Sequence, residues 1–240
     1  MPWFFAVAEH DHEVQNPTSP EKIRLLGERL RLGPESLVLD VACGKAGPAV
    51  LLASTFGCRI IGVERAAEFV EAARRHAAAA GVEGLVEILE GDAAAYAFEP
   101  GSFDVAMCLG ASFVWHDLDG TLAALEPAVR SGGHVVVGEP FWRTWPLPED
   151  VDDGGYVPLR ETVARFEAAG LALVSLIASS EDDWDSYESL HWRALEEWLA
   201  VNPDDPDAPA IRERHLRARD AYLRFERALF GWAIFVGRRA

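Results

Sequence analysis

Between residues 36 and 139, short β-branched runs alternate with alanine-rich stretches, and this alternation constrains the fold more than any other feature of the chain. Strands separated by helices pair in parallel and carry those helices on the faces of the sheet. The strand candidates are residues 36–42, 59–64, 86–92, 103–109 and 134–139, each mainly apolar and so suited to burial on both faces. Of the intervening helices, the one over 67–80 is the clearest. Phe69, Val70, Ala73 and Ala77 share one stripe, and Gly81 stands where a helix can end in the left-handed conformation. Beyond Glu139, Pro140, Pro146 and Pro148 fall close together, which predicts a loop from Pro140 onward. The alternation resumes with a helix over 159–169, a stop at Gly170 and a strand over 171–177, and a last strand covers 231–236. The expected fold class is α/β, a doubly wound and mostly parallel seven-stranded sheet.

The stretch before the last strand is built differently. Residues 181–210 carry ten acids and one Arg, whereas residues 211–240 carry eight Arg and three acids. Tyr187, His191, Ala194 and Trp198 fall at helical spacing, as do Ile211, His215, Ala218, Tyr222, Phe225 and Leu229. Two amphipathic helices of opposite charge, joined by a turn at 202–206, are expected to pack on each other. The chain is then one domain, 1–240: an N-terminal lid and helix at 1–34, a cofactor-binding core at 35–142, and a helical cap at 180–230 inserted between strands six and seven.

The formal net charge is −17, and a field of that sign repels nucleic-acid phosphates and anionic lipid. No nucleic-acid or membrane partner is expected, and the protein is expected to be a monomer or homodimer. The N-terminus lacks the basic flank of a signal peptide, and the chain holds no apolar run of about 18 residues. Cys43, Cys58 and Cys108 include no C-x-x-C pair, so a disulfide framework or cysteine zinc site is not indicated and a reducing cytoplasm is expected.

Chemistry concentrates at Asp40-Val41-Ala42-Cys43-Gly44-Lys45-Ala46-Gly47-Pro48, where a strand runs through a small-residue turn into a helix. Small residues let a ligand approach the backbone there. Glu64 ends the next strand, near the offset at which a carboxylate takes a ribose hydroxyl pair. Together these features point to an adenosine-type ligand. The turn is a poor G-x-G-x-x-G and contains no G-x-x-x-x-G-K-[ST], so pyrophosphate and triphosphate are weakly supported.

The segment resembles the first motif of the class I S-adenosylmethionine-dependent methyltransferases, [DE]-x-G-x-G-x-G, written here as Asp40-x-Ala42-x-Gly44-x-Ala46. Ala46 adds a methyl group near the ligand and leaves Gly47 to supply flexibility one residue later. Gly91-Asp92-Ala93 resembles the motif after the third strand, Phe103 to Cys108 is similar to the fourth-strand motif, and Arg130 to His134 resembles the turn into strand five. The resemblance runs in register over residues 37–139. Its flanks, Asn16-Pro17, Gly138 to Trp142, Trp184-Asp185-x-Tyr187-Glu188 and Phe230-Gly231-Trp232, look like a bacterial small-molecule subgroup of the broad type that includes the ubiquinone and menaquinone methyltransferases. The resemblance implies a Rossmann-like methyltransferase fold, S-adenosylmethionine as cofactor, and a cofactor site of Asp40, Ala42, Gly44, Glu64, Asp92, Ala93 and Cys108. It further implies methyl transfer to a small-molecule acceptor, mainly by in-line positioning.

Should a proton have to leave the acceptor, the candidate bases are His12, His116 and Glu139. His116 follows strand four and Glu139 ends strand five, both at the strand ends where open α/β sheets bind ligands. Each also has a structural reading, helix-start packing beside Asp117 for His116 and backbone bonding in the following loop for Glu139. Trp115, Trp142, Trp184 and Tyr187 are the candidate acceptor-binding residues: Trp115 follows strand four, and Trp142, Trp184 and Tyr187 are expected to build an aromatic wall with Trp232. His10-Asp11-His12-Glu13 has alternating metal-type side chains, yet nothing downstream completes a site at motif spacing, so no metal is expected. The alternatives are a nicotinamide-dependent oxidoreductase and a ligand-binding protein of the same fold without turnover.

Overall fold

The computed structural model describes residues 4–240; the lid's first three residues, Met1–Trp3, lie outside the described residues. The strands are β1 (Leu37–Val41), β2 (Arg59–Glu64), β3 (Val86–Glu90), β4 (Phe103–Leu109), β5 (Val129–Trp142), β6 (Leu171–Ala178) and β7 (Phe230–Arg239). They form one seven-stranded sheet in the order β3-β2-β1-β4-β5-β7-β6, parallel except for β7, which runs antiparallel to both β5 and β6. The order in which strands are added reverses between β1 and β4, and in open α/β sheets the ligand crevice lies at the carboxyl ends of the strands at that point.

The helices obey the sequence pattern. They are α1 (Phe4–Ala8), α2 (Pro20–Leu30), α3 (Gly47–Phe56), α4 (Ala67–Ala79), α5 (Leu118–Leu125), α6 (Leu159–Ala168), α7 (Glu181–Val201) and α8 (Ala208–Ala221). Val70, Ala73 and Ala77 form the buried face of α4, and Gly81 beyond its end has φ +68°, as the left-handed stop requires. One core layer packs α2, α3 and α4 against the sheet around Ile23, Leu52 and Ile60. The other gathers Leu118, Leu122, Phe166 and Phe235 on the opposite face.

The loop expected from Pro140 onward begins later. Pro140-Phe141-Trp142 is the end of β5, paired with β7 as Pro140↔Trp232 and Trp142↔Phe230. The last pairing of β5 with β4 is Leu109↔Gly138, so beyond it β5 has a sheet neighbour on one side only. The Trp142 N–H points to the other side, where it donates to the Val157 carbonyl at 3.0 Å. The nitrogen of Pro140, two residues earlier in the pleat, faces that same side, and its missing N–H removes no bond to β7.

The cap helices lie between β6 and β7. Ser180 caps α7 reciprocally: its hydroxyl accepts the Asp183 N–H at 3.2 Å, and the Asp183 carboxylate accepts the Ser180 N–H at 2.7 Å. Charge complementarity then joins α7 to the arginine-rich segment after it. Glu196 meets His215 at 3.1 Å, and Asp185 takes the Tyr222 hydroxyl at 2.7 Å and the Arg227 guanidinium at 2.9 and 3.0 Å. After α8 the backbone widens into a π-turn at Tyr222–Glu226, which brings Tyr222 into the core at 1% exposure. Among the described residues, no helix is long and apolar enough to cross a membrane.

Removing the reciprocal cap with Ser180→Ala is expected to cost about 1 kcal/mol of folding free energy, read as a lower midpoint in urea denaturation.

Candidate active site

The β1–α3 turn is held in shape by one side chain. Glu64 Oε2 accepts the Gly44 N–H at 3.0 Å, and Oε1 accepts the N–H groups of Arg65 at 2.9 Å and Ala66 at 2.8 Å. Ala42, Gly44 and Ala46 all sit in the left-handed region, at φ +52°, +56° and +58°. The methyl of Ala46 does not approach a ligand as expected: it is fully buried in the core beneath the turn. Gly44 and Gly47 answer to close packing from the N-terminal segment. A Cβ on Gly44 would lie 2.1 Å from Gln15 Oε1, and one on Gly47 would lie 2.0 Å from the Glu13 carbonyl oxygen. Lys45 fastens the same segment, donating its backbone N–H to Gln15 Oε1 at 2.7 Å and its ammonium to the Glu9 and His10 carbonyls at 2.6 and 2.8 Å.

Beneath this lid lies a cavity of about 520 Å³. Asp40, Ala42, Gly44, Glu64, Asp92 and Ala93 line it together, so six of the seven cofactor candidates converge on one wall. Cys108 does not. It sits on β4 with its side chain wholly buried against the second core layer, and the residues that reach the cavity are Leu109 and Gly110, past the end of the strand's buried stretch. The lining carries six acidic side chains, Glu9, Glu13, Asp40, Glu64, Glu68 and Asp92, against the single cation of Arg65. Burial, and then the charge of Glu64, push Asp40 up to about 8. The three thiols are inert for the same reason: burial raises Cys58 to about 11 and Cys108 to about 12, and holds Cys43 well above its ordinary value.

A second cavity of about 580 Å³ adjoins the first. Gln15, Asn16, Gly110, Phe113 and Tyr187 line both and form the seam between them. His116, Glu139, Trp184 and Tyr187 line the second cavity, with Tyr156, Arg165 and Trp232. Three other candidates lie elsewhere. Trp142 is buried beside Phe230 with its indole N–H donated to the Asp153 carbonyl at 3.0 Å. Trp115 packs against the second core layer, next to Gly120 of α5. His12 turns away from both cavities, is 2% exposed and donates from Nε2 to the Tyr187 carbonyl at 2.9 Å. Glu139 differs from these: its Oε2 is buried without a hydrogen-bond partner, and burial pushes the carboxyl up to about 7.

Sequence reasoning missed Gln15, Arg165 and Tyr156 as lining residues. They come from the lid, from α6 and from the loop before it, and no spacing links them to the β1 turn. Asn16 had a signal in the Asn16-Pro17 flank; its amide donates to the Leu109 carbonyl at 3.4 Å and its Oδ1 is buried without a partner at the seam.

A doubly wound sheet with an acid-lined cavity at its switch point and a second cavity beside it has the Rossmann-like architecture of a ligand-binding α/β domain. Residues 38–133 match the family described as "Methyltransferase domain". Over its full length the chain is similar to a SAM-dependent methyltransferase from Thiobacillus denitrificans, solved in complex with S-adenosyl-L-homocysteine. Identity is 33%, coverage is 100% of this chain and 99% of that one, and the TM-score is 0.93. A SAM-dependent methyltransferase from Geobacter sulfurreducens, also solved with S-adenosyl-L-homocysteine, is 31% identical over 100% and 99% of the two chains, with TM-score 0.94. YjhP of Escherichia coli is 30% identical over 98% of this chain and 97% of its own, and its crystal structure superposes with TM-score 0.94. The chain belongs to the S-adenosylmethionine-dependent methyltransferases.

Asp40 and Glu139 have pKa values raised above the unfolded carboxylate range near ~4, so the folded chain keeps protons that the unfolded chain releases. Their contribution to stability is complete below about pH 4 and is lost as pH rises through about 7 for Glu139 and about 8 for Asp40. The urea midpoint of Asp40→Asn is therefore expected to fall less than that of the wild type between pH 5 and 8.

Proposed function

We propose that the chain transfers a methyl group from S-adenosylmethionine, held in the first cavity, to a small-molecule acceptor in the second. The observation that carries this reading is the seam: two cavities at the carboxyl ends of the strands meet at five shared residues. Asp40, Glu64 and Asp92 suit the cofactor. Glu64 keeps acceptor capacity beyond its three backbone bonds for ribose hydroxyls, and one oxygen of Asp92 is held by the Ala94 N–H at 2.9 Å, which fixes the carboxylate for a donor in the cavity. Five acidic side chains besides the protonated Asp40 favour a cationic cofactor and oppose a pyrophosphate, which separates this reading from a nicotinamide enzyme.

When bound, S-adenosylmethionine supplies an electrophilic methyl group on a sulfonium centre. The protein's part begins with position. Tyr187 and Phe113 at the seam and Trp184 and Trp232 behind it confine an acceptor, and the lid residues Gln15 and Asn16 keep water out. Glu139 then serves acceptors whose proton must leave, because a carboxyl at about 7 is an effective base near neutral pH and its unpartnered oxygen is ready to accept. His116 lines the same cavity at a helix start, where the neighbouring Asp117 caps α5 through the Gly120 N–H at 2.8 Å. The three buried thiols suit a reducing cytoplasm.

Calorimetry with S-adenosylhomocysteine and with NADH tests the cofactor assignment. The former should bind and the latter should not, and Glu64→Ala should weaken the former by roughly 1–3 kcal/mol. Unchanged affinity in that variant would remove Glu64 from the site. Turnover is tested by measuring formation of S-adenosylhomocysteine on addition of fractionated small-molecule extract. With an acceptor in hand, kcat/KM should rise with pH through about 7 as Glu139 loses its proton, and Glu139→Gln should lose that limb and about 10²-fold in rate. A flat profile in the wild type would leave positioning as the whole of catalysis.

A further inference from the structure

We propose that Glu9, His12 and His191 bind a divalent transition-metal ion of zinc type, which clips the N-terminal lid to α7. Glu9 and His12 stand three residues apart in the N-terminal segment and His191 lies about 180 residues further on, so no single sequence motif spans the set. One ligand atom from each lies within 4.8 Å of the other two. Glu9 Oε1 is 2.9 Å from His191 Nε2, and Glu9 Oε2 is 3.4 Å from His12 Nδ1. Tetrahedral ligands at zinc distances stand about 3.3 Å apart, so the two contacts of Glu9 are near that spacing and the set as a whole, within 4.8 Å, has to contract to enclose an ion.

Two observations point to a ligand rather than to a settled polar cluster. Glu9 Oε2 and His12 Nδ1 are both buried and neither has a hydrogen-bond partner, although they face each other. Orphaned buried polar atoms are costly, and an ion between them removes that cost. The outer contact of His12 is also of the kind that orients a metal-binding imidazole. His12 donates from Nε2 to the Tyr187 carbonyl at 2.9 Å, which fixes the tautomer with its lone pair on Nδ1 toward Glu9. His191 turns Nδ1 to the Glu188 carboxylate at 3.9 Å, leaving Nε2 for the centre. The two rings stand with centroids 4.3 Å apart, each presenting one nitrogen to Glu9, and the Tyr187 hydroxyl reaches Glu9 Oε1 at 3.2 Å.

Two His and one carboxylate form a donor set that suits zinc and other first-row ions, with a remaining position for water. Binding forms two N–metal bonds and one O–metal bond; the His191 imidazolium, set between Glu9 and Glu188, keeps its Nδ1 proton and releases the Nε2 proton to solvent. The clip has a functional address, because Glu9 lines the cofactor cavity and Tyr187 stands at the seam. The neighbouring His10 and Asp11 play no part: His10 is exposed, and Asp11 is bound to Arg193 at 2.7 and 2.9 Å.

The test uses the full chain, stripped with a chelator and titrated with Co2+ and Zn2+ in the absence of cofactor, so that its outcome is independent of the methyl-transfer reading. One Co2+ per chain should bind with the visible absorption of a low-coordinate nitrogen–oxygen site, and Zn2+ should displace it. His12→Gln and His191→Gln should each weaken binding by about 100-fold or more, and His10→Gln should leave it unchanged. Should either cluster variant fail to fold by circular dichroism, X-ray absorption of the wild-type zinc complex decides, with two imidazoles in the shell expected. The proposal is overturned if the stripped chain takes up no stoichiometric Co2+, if His10→Gln abolishes uptake, or if fewer than two imidazoles are found; the cluster is then an ion pair of Glu9 with His191 that needs no metal.

Discussion

The site depends on one carboxylate that bonds backbone on two loops. Glu64 stands at the end of β2, yet its oxygens take N–H groups from the turn after β1 as well as from its own turn into α4. Backbone groups near a cavity have no ladder to satisfy them, and a charge-assisted acceptor holds them better than a neutral one. The β1 turn therefore cannot be considered apart from β2, although 20 residues separate Gly44 from Glu64. The parallel register, Asp40↔Gly62 and Val41↔Val63, brings the two strand ends level and makes the bond possible.

The lid uses that turn as its seat. Gln15 accepts the Lys45 N–H, the Lys45 ammonium bonds two lid carbonyls, and the lack of a Cβ at Gly44 and Gly47 lets the segment lie directly on the turn. Glu9 reaches the other way, toward α7, through His191 and the Tyr187 hydroxyl. The lid is thus anchored on both sides of the first cavity, to the sheet by Lys45 and to the cap by Glu9. An ion pair between Lys22 of α2 and Asp183 of the α7 cap adds a further tie between the N-terminal region and the cap.

What could be read from the sequence was whatever is set by neighbours along the chain. Strand β2 and helix α4 carry their burial pattern locally, and Asp40, Glu64 and Asp92 occupy strand ends that the alternation locates. The β5 extension at Pro140 was hidden, because a proline argues against a strand until it is known which side of that strand has no neighbour. Cys108 was misplaced by one step of the pleat: Leu109 next to it reaches the cavity, and alternation along β4 sends Cys108 to the core. Trp142 and Trp184 are both buried, at 4% and 8% exposure, and only the tertiary path decides that Trp184 lines a cavity and Trp142 a loop.

The two alanines in the turn bear on how far a glycine motif can be rewritten. A non-glycine residue in the left-handed region costs roughly 1–2 kcal/mol, and this turn carries that cost at Ala42 and again at Ala46. At Ala46 the methyl is wholly buried in the core, which returns about 0.8 kcal/mol. The Ala46 N–H bonds the Cys43 carbonyl at 2.9 Å, and its own carbonyl accepts the Val50 N–H at 2.9 Å as the first bond of α3. At Ala42 the methyl is half-buried at the cavity wall and recovers less, so the compensation there has to come from Glu64, which holds the turn through Gly44 two residues on. Gly47 has no such latitude, since a Cβ there would run into the Glu13 backbone, and at Gly44 a Cβ would push the Gln15 amide off the Lys45 N–H. The glycines this chain keeps are those against which its own N-terminal segment packs, and the ones it has replaced lie where a methyl meets the core or the open cavity.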